Sequence, residues 1–494
     1  MQLRCLVGAI SLAAACAVSS GCAAASVAEP TRSAAASGAP GPSAASCPRA
    51  SALERSAIAE EVVCLLRQLV QIDTSNPPGN ELAAARFLAS VLERDGIASE
   101  VVESAPGRAN LLARLKGRQA GHAMLLMHHL DVVPASADEW SVPPFAGTLK
   151  DGYVWGRGSI DDKGGAVVQL VTLLLLQRLG VPLAHDLVLL GVADEESGGG
   201  FGARWLTEHR PQSFQDVEYI LNEGGGILEL PGGKLLYSVE LAQKAPLWLR
   251  VTARGPAGHG SSPSPNTASA VLVRALARVA EHAFPILVLP EVQAVFTARA
   301  AAMPPAQRAR YSNLQASLED AEFRQQFLSN PQDAALVRTS LAITMLSGSA
   351  KENVISERAS AVLDMRLLPG QDPKAVTAEV ARLLAEPGLE LEPILSWQAQ
   401  RSRQDTPMFT AIEQLAHERD PAAVVSANVI GSFTDCNAFR AIGKTCYGFM
   451  PIRIALSELE RIHGKDERIA VDALSQSVID LHALLGSVKA VQSE

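Results

Sequence analysis

The sequence predicts an α/β fold, in which a mixed, mostly parallel sheet flanked by helices is interrupted by an inserted α+β lid. Three observations carry this expectation. Ala123 to Met127, Leu187 to Ala193 and Tyr219 to Leu221 are continuous apolar runs, each followed closely by a histidine, aspartate or glutamate. Such runs suit strands buried on both faces of a sheet, where polar groups collect at the carboxyl ends of the strands. Ala166 to Leu179 is a longer apolar stretch that suits a buried helix. From Lys244 to about Trp397 the pattern changes to alternation, as in Leu247-Trp248-Leu249-Arg250-Val251 and Ala361-Val362-Leu363-Asp364-Met365-Arg366, which suits antiparallel strands with one wet face.

The chain opens with one basic residue, Arg4, a short apolar core from Leu6 to Ala15, and Ser19-Ser20-Gly21-Cys22. That core is too short for a membrane span and reads as an export signal. Small residues before Cys22 fit lipoprotein processing, so residues 1–22 are expected to be a signal peptide with a lipid anchor at Cys22. Ordinary signal cleavage is the alternative. Residues 23–50, rich in Ala, Ser, Pro and Gly, read as a flexible tether. The protein is then expected to be exported, to the periplasm or an outer surface. Cys47, Cys64, Cys436 and Cys446 can form two pairs there, which the sequence cannot assign, and their spacing is no zinc motif. A net charge of −9 with only 4% aromatic residues argues against a nucleic-acid surface.

Five short stretches end an apolar run or open a helix with side chains that can bind a metal. They are His129-Leu130-Asp131, Asp161-Asp162-Lys163, Asp194-Glu195-Glu196, Asn222-Glu223 and Ile462-His463-Gly464. Imidazoles and carboxylates without cysteine form the donor set of a two-metal hydrolase. Three of the stretches sit at strand ends and so converge on one crevice. Asp161 instead precedes the buried helix, where the dipole favours an anion. Singly, each has a plainer reading: Glu195-Glu196 as a solvated turn, His463 as a surface residue, His128 as a neighbour of the ligand, and either Asp161 or Asp162 as a bridging acid.

Thr74-Ser75-Asn76-Pro77-Pro78-Gly79-Asn80-Glu81, His129-x-Asp131-Val132-Val133-Pro134, Gly156 to Gly164, Asp194-Glu195-Glu196 and Asn222-Glu223-Gly224 resemble, in order, the signatures of the di-zinc family of aminoacylase, carboxypeptidase S and glutamate carboxypeptidase. The resemblance covers about residues 55 to 485. It implies two zinc ions per chain, His129 and Glu223 on one, Glu196 and His463 on the other, and Asp161 bridging. It implies Glu195 as general base, Asp131 as the carboxylate that orients His129, and a cis peptide after Asp161. Residues 51–243 and 398–494 would form the catalytic domain, and residues 244–397 a lid resembling a dimerisation domain, an antiparallel sheet with two helices. From the lid, His259 would stabilise the oxyanion, and Arg366 with Asn353 would hold a substrate carboxylate.

An insertion at 284–338, with helical stretches Glu291 to Ala302, Arg308 to Leu318 and Ala321 to Phe327, resembles the carboxypeptidase S and N-acyl-amino-acid hydrolase branch. It is expected either to shape an apolar pocket or to add core helices. Thr434-Asp435-Cys436-Asn437 departs from the family pattern by lacking an arginine, which Arg440 is a candidate to replace. Gln243-Lys244-Ala245 and Ser356 depart as well. The expected activity is zinc-dependent hydrolysis of an amide next to a free carboxylate, in a peptide or an N-acyl amino acid, by a monomer or homodimer. A zinc-dependent binding lipoprotein is the alternative, which Glu195 disfavours.

Overall fold

The computed structural model describes residues 46–488 apart from Pro231 and Ala302. The signal peptide, Cys22 and most of the tether expected from the sequence lie outside the described residues.

The apolar runs form the middle of one large mixed sheet. Its order is Ser99–Ala105, Arg108–Leu115, Leu187–Val192, Ala123–His129, Val217–Asn222, Thr445–Gly448, Leu235–Gln243, Gly226–Glu229 and Arg453–Ala455, with Val424–Ile430 paired to Leu235–Gln243. Leu187–Val192, Ala123–His129, Val217–Asn222 and Thr445–Gly448 run parallel. Every residue of Ala123–His129 and Leu187–Val192 is buried, as two-sided cover requires. The long apolar stretch is the helix Lys163–Arg178, buried all round from Lys163 to Leu176 rather than along one stripe.

The alternating segments build a separate four-stranded antiparallel sheet, ordered Ser340–Ser347, Arg358–Leu367, Ala245–Arg254 and Leu389–Ser396. Its core includes Leu249, Val251, Leu363 and Met365, with Val271, Leu272 and Leu276 of the helix Ala268–Glu281 and Val376 and Val380 of Pro373–Leu384. A sheet and two helices therefore share one core in this segment.

The insertion differs in part from its expected form. Its helices are Pro290–Ala300, Pro305–Ser312, Leu314–Ser317, Ala321–Leu328 and Pro331–Val337. The expected second helix is broken at Asn313, whose side chain accepts from Ala316 N instead of continuing the turn. The last helix was not foreseen, although Asn330 caps it and Pro331 opens it. Although it lies within the lid in sequence, the insertion shares its core with Ala242 and Val429 of the large sheet. Phe296, Tyr311, Phe323 and Phe327 stack on one another inside it.

Two disulfides settle the cysteine question, Cys47 with Cys64 and Cys436 with Cys446. Among the described residues no helix is long and apolar enough to cross a membrane.

Candidate metal centre

Strand ends deliver the acids to one place. Ligand atoms of His129, Glu195 and Glu223 lie within 4.8 Å of one another, and so do those of His129, Asp161 and Glu196. Asp161 turns one oxygen to each imidazole, Oδ1 to His129 Nε2 at 2.8 Å and Oδ2 to His463 Nε2 at 3.1 Å. His463 Nε2 is also 3.2 Å from Glu196 Oε2. The Asp161-Asp162 peptide is cis.

Few cations balance this cluster. Burial first, and then neighbouring carboxylates, push Glu195 and Glu223 well above the usual carboxylate range. Burial likewise raises Asp162 to about 8. Burial opposes the charge of Asp161 too, but hydrogen bonds from His129 and His463 outweigh it and hold its carboxyl well below the ordinary range. Glu196 Oε1 is buried without a hydrogen-bond partner. A set of imidazole nitrogens and carboxylate oxygens, with an unpaired buried oxygen and surplus negative charge, fits divalent metal ions.

The supports of the cluster come from main-chain donors. Asp131 was expected to orient His129 through its carboxylate. The residue meets the imidazole twice: His129 Nδ1 is 2.9 Å from the Asp131 carbonyl oxygen and 3.7 Å from its carboxylate, whose charge faces the ring. That carboxylate accepts from Glu195 N and Glu196 N, each at 3.1 Å, and from Asn76 Nδ2 at 2.8 Å. It therefore holds the turn that presents Glu195 and Glu196. Glu467 plays the same part for Asp161, accepting from Gly158 N at 2.9 Å, Ile160 N at 2.7 Å and Asp161 N at 3.1 Å. Arg157 bridges Glu467 and Gly464 O, joining the Asp161 loop to the His463 loop. The sequence reading missed Asn76, Arg157 and Glu467, although Asn76 lies in a quoted motif and Glu467 follows His463 by four residues. His128 is a core histidine bonded to Gln169 at 2.8 Å and pushed down to about 4 by burial.

The cluster opens on a cavity of about 870 Å³. Arg366 lines it, its guanidinium gripped by Asp364 at 2.8 and 3.0 Å and lying 5.3 Å from the Phe433 ring centre. His259 and Asn353 are not among its lining residues. Both are exposed at a small two-stranded sheet of Gly258–His259 and Val354–Ile355, where His259 Nδ1 meets Ser261 Oγ at 2.8 Å and Gly260 N donates to Asn353 O. Within this chain the structure thus brings together the metal-type residues, Glu195, Asp131 and Arg366, and leaves His259 and Asn353 apart. Arg440 does not take the role considered for it, because it is buried and donates to both oxygens of Glu240 at 2.7 and 2.8 Å. Lys244 is buried and donates to Ala335 O, Arg338 O and Ser340 Oγ, tying the end of the insertion to the lid entry.

Known proteins are similar to this chain in sequence and in fold. The chain is 29% identical to the probable carboxypeptidase S-like 2 of Dictyostelium discoideum, over 72% of this chain and 69% of that protein. It is 29% identical to the human N-fatty-acyl-amino acid synthase/hydrolase PM20D1, over 86% of each. The M20 family metallo-carboxypeptidase Sso-CP2 of Sulfolobus solfataricus superposes with a TM-score of 0.70 at 17% identity, covering 87% of this chain and 99% of that one, which is likeness of fold. The profile of peptidase family M20/M25/M40 matches residues 125–485, well over half of the chain and every residue of the cluster. The chain belongs to this peptidase family.

Proposed function

We propose that this protein hydrolyses an amide bond whose amine side carries a free carboxylate, in a peptide or an N-acyl amino acid, with two zinc ions per chain. The observation that carries the reading is the convergence of His129, Asp161, Glu195, Glu196, Glu223 and His463 beside one large cavity. His129 and Glu223 would hold one ion, Glu196 and His463 the other. The two oxygens of Asp161, each facing one imidazole, support its bridging role over Asp162. When bound, the ions polarise the scissile carbonyl and make water a better nucleophile.

The chain supplies the rest. Glu195 takes the proton of the attacking water and delivers it to the leaving nitrogen as the C–N bond breaks. Asp131 fixes the turn on which Glu195 stands. Arg366, on the cavity wall, holds the substrate carboxylate with its planar fork. His259 stabilises the oxyanion and Asn353 joins Arg366 once their two-stranded sheet is brought over the cavity. The name of the human relative supports N-acyl amino acids, and that of the Dictyostelium relative supports peptides. Two disulfides support an oxidising compartment and hence export, with Cys22 as the anchor.

The test is a hydrolysis screen of the purified protein over dipeptides and N-acyl amino acids, with and without chelator. Turnover of carboxylate-bearing amides, abolished by chelator and restored by zinc, is expected. No turnover of either class in the zinc-loaded protein overturns the reading.

A further inference from the structure

Beyond the metal cluster the cavity has a wall of distinct chemistry. It runs from Glu223 through Gly224, Gly225 and Gly226 to Leu228, and continues on Ile452, Ile454 and Leu459. Gly225 permits this path, since a Cβ there would stand 2.3 Å from the carbonyl oxygens of Gly448 and Ser238. The strand Gly226–Glu229 is paired along one edge with Leu235–Gln243 and along the other with Arg453–Ala455. Its own amide groups are therefore engaged. The polar pair that also lines the cavity, Asn428 and Ser238, is engaged with itself at 3.0 Å. Leu228 packs beside Ala298 of the insertion, and the next residue, Arg299, is the insertion's contribution to the cavity lining.

This wall discriminates between ligands by what it lacks. A peptide laid along Leu228, Ile452, Ile454 and Leu459 would bury amide groups against side chains that offer them no partner, a loss that a buried unpaired polar group carries. An alkyl chain has no such groups and gains from every methylene removed from water.

The other face of the same ribbon lines a second cavity of about 730 Å³, to which Ile227 and Glu229 turn while Gly226 and Leu228 face the first. Ile454, opposite Leu228 in the pairing, lines both cavities. With Ile160, which also lines both, it forms the shared wall.

Resting on the amide-hydrolase reading above, we propose that the Leu228–Ile454 wall receives the alkyl chain of an N-acyl amino acid, and that these two side chains set the acyl length accepted. The zinc-loaded enzyme is assayed on one amino acid carrying saturated acyl groups from acetyl to dodecanoyl. We expect kcat/KM to rise by up to about fourfold per added methylene until the wall is covered. Leu228→Trp should lower the dodecanoyl-to-acetyl ratio at least tenfold. Ile454→Ala, which opens the wall to the second cavity, should move the optimum to longer chains. Because the readout is a ratio, a poorly folded variant lowers both members and leaves it unmoved. Calorimetric binding of dodecanoate against acetate reports the same preference without turnover. A flat length profile, or a ratio that neither variant moves, overturns the proposal while leaving the amide-hydrolase reading standing. Absence of any turnover, acetyl substrate included, is instead the failure of that reading.

Discussion

Two strands of the large sheet carry acids at both ends, and the two ends behave oppositely. Before Leu187–Val192 and Val217–Asn222 stand Asp186 and Asp216; after them stand Glu195, Glu196 and Glu223. At the amino end, Arg114 reaches both aspartates at 2.9 and 2.6 Å and Lys116 joins Asp186 at 2.9 Å. Burial alone would raise Asp186, but its bonds from Arg114, Lys116 and Gly117 N outweigh it and hold the carboxyl at about 2. At the carboxyl end, burial pushes Glu195 and Glu223 up, and among the described residues the ion pairs of the cluster acids are with the imidazoles of His129 and His463, not with arginine or lysine. Acids that are neutralised by side-chain cations serve the fold. Acids gathered without them mark where an external cation belongs.

The strongest way to sharpen this contrast is Glu195→Gln, which removes a base and, on the proposed assignment, no ligand. It should lower kcat by about 10² to 10⁴-fold with metal content unchanged by elemental analysis. Activity within a few-fold of wild type would take Glu195 out of that role. His259→Ala tests whether the carboxyl end needs a donor from the exposed two-stranded sheet. A fall in kcat of about 10² to 10³-fold, with KM little changed, is expected of an oxyanion donor, and an unchanged kcat would leave His259 outside the chemistry. Asp131→Asn probes a support rather than a reacting group. Loss of its charged acceptor should cost about 10 to 100-fold in metal affinity or activity, measured by zinc titration and steady-state kinetics.

The smallest effect belongs to the amino end. Asp186 titrates at about 2 in the fold against an ordinary 3.8. A depressed carboxylate adds stability that is present above its unfolded pKa and is lost as pH falls through the folded one, here between about pH 4 and pH 2. Asp186→Asn should therefore cost about 2 kcal/mol at neutral pH and flatten the acid unfolding profile in that window. Urea melts across pH measure both, and kcat/KM should stay at its wild-type value. A loss of activity in a folded Asp186→Asn protein would erase the distinction between the two ends.

Much of this was legible in the chain because strand ends are written as apolar runs that stop at a charge. His129, Glu195, Glu196 and Glu223 follow such runs directly, and Asp161 precedes a helix that is apolar on every side. Glu467 was not legible, because its work is to accept three main-chain N–H groups some three hundred residues earlier, and no local pattern records an acceptor's target. The same holds in part for Asp131, where two residues of spacing from His129 pointed to the imidazole it faces, while nothing local recorded that its carboxylate also accepts from the Glu195 turn. The break at Asn313 turned on a single side chain preferring a cap to a continued helix. Arg440 has the charge of a substrate contact, and only its burial against Glu240 excludes that role.

The Glu467 clamp also orders events in time. During synthesis the strands around Ala123–His129 and Leu187–Val192 emerge long before residue 467, so an apolar sheet can begin to assemble while the loop carrying Asp161 still lacks the acceptor that shapes it. Domains collect as the chain leaves the ribosome, yet here the working geometry is completed only by a segment made some three hundred residues after the loop it clamps. A prematurely ended chain stopping before Glu467 would keep most of its apolar interior while lacking both the clamp and, if it stops before His463, an imidazole. Forms that stop before this segment are thus expected to be silent toward substrate, since they lack the contacts of Glu467 and His463 with the Asp161 loop.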